Sequence, residues 1–137
     1  TREQLRPLLA AGVTLFLDLT EENEASSYLL DLLAEAKAQG IKVEHRRRAI
    51  PDMEIPSAEF MVGILDAIDE AIDAGQIVYV HCLGGIGRTG TVVGCYLVRH
   101  GMAGQAALDE IVRLREGRTN SPQTPEQFDM VREWSEA

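Results

Sequence analysis

The sequence predicts an α/β fold, a central and largely parallel sheet flanked by helices, in one domain over residues 1–137. Three observations carry that prediction. Runs of strand length at 13–19, 41–47 and 77–81 alternate with longer stretches whose apolar residues recur at helical spacing. Glycines 12, 40, 75 and 101 fall where those helical patterns stop. The chain has 137 residues, 45% of them hydrophobic, with no repeat, low-complexity tract or linker, which suits one buried core. Strands that alternate with helices are joined by crossovers, and crossovers make neighbouring strands parallel.

Each element has its own signal. Residues 3–11 form a short helix ended by Gly12. Val13-Thr14-Leu15-Phe16-Leu17-Asp18-Leu19 reads as a buried strand, and 20–25 as a polar loop. Ser26 or Ser27 caps a helix carrying Leu29, Leu32, Leu33 and Ala36, stopped by Gly40. A strand over 41–47 leads to a loop over 49–56 with two prolines, Pro51 and Pro56. Ser57 opens a helix with Met61, Ile64, Leu65, Ile68 and Ile72 on one face, ending at Gly75. Strand 77–81 and loop 82–88 precede a buried helix, Thr91 to Val98, broken at Gly101. Ala107, Leu108, Ile111 and Val112 mark another helix. After a loop at 117–123, Thr124-Pro125 starts the last one, with Phe128, Val131 and Trp134 inward.

A net charge of −9 leaves no basic stripe for nucleic acid and disfavours an anionic membrane surface. No run is long and apolar enough to span a bilayer. No His/Asp/Glu cluster has ligand spacing, so neither metal nor cofactor is expected. Cys95, about two turns into an apolar helix, reads as core and lies too far along it to bridge Cys82. A cysteine kept as a thiol points to a reducing compartment, the cytoplasm.

The most specific stretch is His81-Cys82-Leu83-Gly84-Gly85-Ile86-Gly87-Arg88-Thr89-Gly90. It sets a thiol at a strand tip, a loop of amides after it, and a helix N-terminus behind them. Backbone N–H groups and the helix dipole make an anion cradle, and a thiolate is itself an anion that such a cradle favours.

Cys-x5-Arg, preceded by His81 and followed by Thr89-Gly90, resembles the signature of the cysteine-dependent protein tyrosine phosphatases. The fit is best to the small single-domain group related to the dual-specificity enzymes. The resemblance covers most of the chain, but the further N-terminal strands usual in that family have no counterpart before Leu5. It implies a tyrosine phosphatase-like fold and hydrolysis of phosphotyrosine, with phosphoserine and phosphothreonine as further substrates. The substrate partner is then a phosphorylated protein or peptide. Cys82 is the implied nucleophile, and Arg88 the bidentate phosphate ligand. The amides of Leu83, Gly84, Gly85, Ile86, Gly87 and Arg88 are the implied phosphate-binding groups. Thr89 is placed to hydrogen-bond the sulfur. His81 is expected to order the loop through hydrogen bonds. Asp52, 30 residues before Cys82, is the implied general acid, with Glu54 as rival. Gln123 is the implied water-positioning residue. Gln127 is either a second one or the partner of Thr124 in a capping box. Arg46, Arg47 and Arg48 either frame the pocket mouth or are plain surface charge.

Two other readings compete. Gly85-x-Gly87-x-x-Gly90 fits a dinucleotide fingerprint, but its acidic partner, Asp109, falls in a helical pattern rather than at a strand end. A phosphoprotein-binding module of the same fold would be expected to have lost the cysteine, the arginine or the acid, and this chain keeps all three. Phosphoinositide phosphatases of the family that this stretch resembles place basic residues in the loop; here Leu, Gly, Gly, Ile and Gly include no Lys or His, so the resemblance implies phosphoproteins over phosphoinositides.

Overall fold

A computed structural model describes residues 2–24, 28–83, 86–118 and 120–136. The expected caps Ser26 and Ser27 and the loop glycines Gly84 and Gly85 lie outside the described residues. The elements run α1 (Arg2–Ala10), β1 (Val13–Asp18), α2 (Tyr28–Gln39), β2 (Glu44–Arg47), α3 (Ala58–Asp73), β3 (Ile77–His81), α4 (Gly87–Arg99), α5 (Gly104–Leu114) and α6 (Pro125–Arg132). Among the described residues the sheet has the order β2-β1-β3, with both pairings parallel, as expected.

β1 is the central strand because both of its faces are apolar. Leu17, with Leu19 just beyond the strand, packs against Met61, Ile64 and Leu65 of α3, Val92 of α4 and Val131 of α6. Val13 and Phe16 pack on the opposite layer with Leu5, Leu9, Leu32 and Ala36 of α1 and α2. The two layers therefore clamp the one strand whose end faces the cysteine loop.

The second strand is shorter than the sequence suggests. It starts at Glu44 rather than at residue 41 because the chain is still closing α2. Gly40 takes φ 68°, its N–H donates to Lys37 O, and the Ile41 N–H donates to Ala36 O at 2.9 Å. That double bond is a Schellman cap, and it occupies an amide the sheet would have used. The last helix also ends early, at Arg132. Trp134 lies beyond it, 9% exposed, with Nε1 donating to Glu136 at 2.9 Å. α6 sits hard on α4 because Gly94 has no side chain, and a Cβ there would lie 2.6 Å from Val131. This close approach sets the start of α6, which carries Gln127, beside the start of α4.

Candidate active site

β3 delivers Cys82. The Leu19 N–H donates to His81 O at 2.9 Å, so the strand is tied to the β1 side up to the residue before the thiol. Cys82 follows, half-buried, and α4 begins five residues later. The residue that caps α4, Ile86, offers no side-chain hydrogen bond, which leaves the first-turn amides free to meet an anion. Thr89, in that same turn, donates its hydroxyl to Cys82 Sγ at 3.0 Å.

Arg88 is 1% exposed, and its partners come from two other loops of the chain. Glu24 takes Nη1 and Nη2 at 2.8 and 2.9 Å, and Ile50 O takes the other Nη1 hydrogen at 2.9 Å. Asp52 Oδ1 stands 3.5 Å from Nη2. The hydrogen bonds that Arg88 donates to Glu24 raise the Arg88 pKa above its ordinary value against the opposing effect of burial, and the charges of Glu24, Cys82 and Asp52 add to the rise. Five N–H groups are available on a guanidinium. With Glu24 and Ile50 served, Nε–H and one Nη2–H remain side by side without a hydrogen-bond acceptor among the described residues. That edge has the fork geometry that matches two phosphate oxygens. Glu24 lies outside every motif in the sequence. A glutamate in a polar loop 64 residues from its partner gives no local signal.

The acid loop reaches the same place. Asp52 is 64% exposed, beside the guanidinium. Glu54 contributes a backbone atom rather than its carboxylate, since its carbonyl accepts from Gln127 Nε2 at 3.3 Å. Gln127 is fully buried, and its Oε1 accepts from the N–H groups of Gln123 and Thr124 at 2.9 and 3.1 Å. The capping box is present, and both ends of this amide are engaged in holding the loops together. Gln123 is exposed, with its amide oxygen near Gly87, where a Cβ would lie 3.2 Å from it.

Beneath the cleft, Asp18 is buried at the end of β1. Its carboxylate accepts from the Thr20 N–H and hydroxyl, and it pairs with His45 Nε2 at 2.9 Å and Arg47 Nη2 at 3.3 Å. Burial works to raise its pKa, but the hydrogen bonds from Thr20 and His45 outweigh it and hold the group below its ordinary value. Arg47 is therefore an anchor for the sheet edge rather than part of the mouth. Arg46 pairs with Glu44, and Arg48 donates to Arg47 O at 3.0 Å. His81 is held by rings, stacked on Tyr79 at 5.6 Å and against Tyr28 at 4.5 Å. Its Nε2 has no hydrogen-bond partner among the described residues, and burial lowers its pKa. Cys95 is buried, with its thiol pushed up to about 12 by burial, and both cysteines are free. Among the described residues no group of three or more His, Cys, Asp or Glu side chains is placed to hold a metal ion. Asp109, the acid a dinucleotide site would need, lies within α5.

A thiol before a helix N-terminus and a buried arginine beside a carboxylate thus stand together at one end of a parallel α/β sheet. A family model described as "Polymorphic toxin system, DSP-PTPase phosphatase" matches residues 1–102, and the chain belongs to that family. It is 33% identical over 95 residues to a putative tyrosine phosphatase, 067L, of Invertebrate iridescent virus 3, covering 69% of this chain and 38% of the viral protein. It is 32% identical over 87 residues to the phosphatidylinositol 3,4,5-trisphosphate 3-phosphatase and protein-tyrosine-phosphatase PTEN1 of Arabidopsis thaliana, covering 62% of this chain and 21% of that one. The chain thus spans less than two fifths of either relative. Among solved structures, Tk-PTP in its active form superposes with a TM-score of 0.80 at 30% identity, covering 97% of this chain and 84% of Tk-PTP.

Proposed function

We propose that the protein hydrolyses phosphotyrosine in proteins, and phosphoserine and phosphothreonine more slowly, through a phosphocysteine intermediate on Cys82. The observation that carries this reading is the state of Arg88. Glu24 and Ile50 grip it from the end, and its Nε/Nη2 edge stays open beside Asp52.

The steps follow from the positions. A phosphate monoester sits with two oxygens on the Arg88 fork and the others on the amides from Leu83 to Arg88. The Cys82 thiolate attacks phosphorus in line with the ester oxygen. As the S–P bond forms and the P–O bond breaks, Asp52 gives its proton to the departing oxygen. Water then attacks phosphorus, and the Asp52 carboxylate takes a proton from it. The S–P bond breaks, inorganic phosphate leaves, and charge returns to sulfur. The Thr89 hydroxyl, 3.0 Å away, donates to that returning charge. Gln123 positions the water, while Gln127 fixes the acid loop against the start of α6. The reaction uses no metal and no cofactor, and its thiolate belongs in a reducing compartment such as the cytoplasm. No helix among the described residues is long and apolar enough to cross a membrane.

Phosphate release from p-nitrophenyl phosphate and from a phosphotyrosine peptide in the presence of a chelator tests the reading. Cys82→Ser is expected to abolish turnover, a loss of at least about 10⁴-fold, and to keep vanadate and phosphopeptide binding. An inactive parent that binds phosphopeptides as tightly as the serine variant would make the protein a binding module instead.

A further inference from the structure

The surroundings of the cleft specify more than a phosphate. Three large apolar side chains stand outward around it. Leu83, the residue after the thiol, is 60% exposed; Met53 and Ile55, on either side of Glu54 in the acid loop, are 48% and 40% exposed. The loop backbone holds two of them there. Ile50 is fully buried and its carbonyl binds Arg88, while the carbonyl of Glu54 accepts from Gln127. Between these anchors the Glu54 N–H closes a turn onto Pro51 O at 3.1 Å, and Met53 takes φ 70°. A left-handed residue with a Cβ is unfavourable, and here the anchored turn imposes it. Met53 and Ile55 are thus fixed on the outer side of a loop whose inner side meets the catalytic groups.

The charges around this rim are mostly negative. Glu21, Glu22, Asp52 and Glu54 are exposed. Of the nearby cations, Arg46 is paired with Glu44 and Arg47 with Asp18, and Arg48 is half-buried with its guanidinium on a backbone carbonyl. The whole chain carries −9. An acidic segment, an anionic bilayer or a second copy of this chain would each bring like charge to that rim.

Resting on the phosphatase reading, we propose that the substrate is a phosphotyrosine segment whose immediate flanking residues are apolar and not acidic. They seat on Met53, Ile55 and Leu83, and acidic flanks are rejected. Burying part of three such side chains is worth about a tenfold change in kcat/KM by transferred area.

The test compares kcat/KM for three phosphotyrosine peptides of equal length, flanked by Leu and Val, by Ser and Gln, or by Asp and Glu, at low and high salt. The apolar peptide is expected to exceed the polar one about tenfold, and the acidic one is expected to be slowest and to recover with salt. Ile55→Ser and Leu83→Ser are each expected to lower the apolar-to-polar ratio at least about threefold. Because the ratio is taken within one variant, a general loss of activity or folded fraction cancels. Equal rates for the apolar and polar peptides, or a preference for the acidic one, overturn the flanking-residue proposal and leave the phosphatase reading standing. No phosphate release from any peptide by the parent protein overturns both.

Discussion

The two ends of α4 carry two arginines in opposite situations. Arg99, in the last turn, spends its fork inside the protein. Nε and Nη2 go to Glu136 at 2.9 and 2.6 Å, and Nη1 lies 2.9 and 3.1 Å from Asp66 and Asp69. Arg88, in the first turn, is gripped from its end by Glu24, and among the described residues its Nε–H and second Nη2–H make no hydrogen bond, with Asp52 Oδ1 3.5 Å from Nη2. The helix dipole sharpens the contrast. It favours a cation at the C-terminus, where Arg99 sits, and an anion at the N-terminus, where Arg88 adds more positive charge. An arginine that ties a fold together closes its fork on carboxylates. Under the proposed function Arg88 is oriented from behind by Glu24 and meets its phosphate beside a helix end that favours an anion.

The largest test of this contrast is a matched pair. Arg88→Lys is expected to lower kcat/KM toward p-nitrophenyl phosphate about 10³-fold, because a point charge cannot replace the fork. Arg99→Lys is expected to change kcat/KM less than about threefold and to lower the thermal midpoint by a few degrees, because its carboxylate partners are partly exposed. Comparable losses of kcat/KM in the two variants would remove the distinction.

Next in size is the acid beside Arg88. Asp52→Asn is expected to slow hydrolysis of phenyl or alkyl phosphates about 10²-fold and to leave a substrate with a stable leaving group within about fivefold. Glu54→Gln is expected to have little effect, since Glu54 enters the site through its backbone. A larger, leaving-group-dependent loss in the Glu54 variant would reassign the acid.

The smallest effect belongs to Glu24. Glu24→Gln loosens the rear grip and is expected to lower kcat/KM about tenfold, mostly through weaker binding of phosphate and vanadate. It also sharpens the pH dependence. The hydrogen bond from Arg88 holds the Glu24 carboxyl below its ordinary value. A depressed carboxylate contributes stability above the unfolded pKa and loses it as pH falls through the folded one. Melting curves between pH 7 and pH 3 are therefore expected to show a shallower acid loss in Glu24→Gln than in the parent. Parallel curves would show that Arg88 does not depend on Glu24.

Much of this was legible residue by residue, and the misses share a cause. The strands, the crossover helices and the Ser57 and Thr124 caps follow from signals a few residues long. The late start of the strand expected over 41–47 was hidden because a helix cap took the Ile41 amide. The packing of His81 against Tyr28 had no local signal, because it depends on α2 meeting β3. The capping box at Thr124 was one of two options for Gln127, and the structure shows that box in place with the amide also reaching Glu54 across 73 residues.

By itself the sequence determined the α/β class, the parallel order of strand and helix, and the ten-residue stretch that places a thiol before a helix N-terminus. These are local properties, written in periodicity, caps and chemical types at fixed spacing. Only the tertiary structure decided which carboxylate grips Arg88, which edge of that arginine stays open, that Asp52 rather than Glu54 turns its side chain to it, and which apolar residues ring the cleft. Each of those is set by segments tens of residues apart meeting across a core, and no local pattern encodes which partner packing will bring.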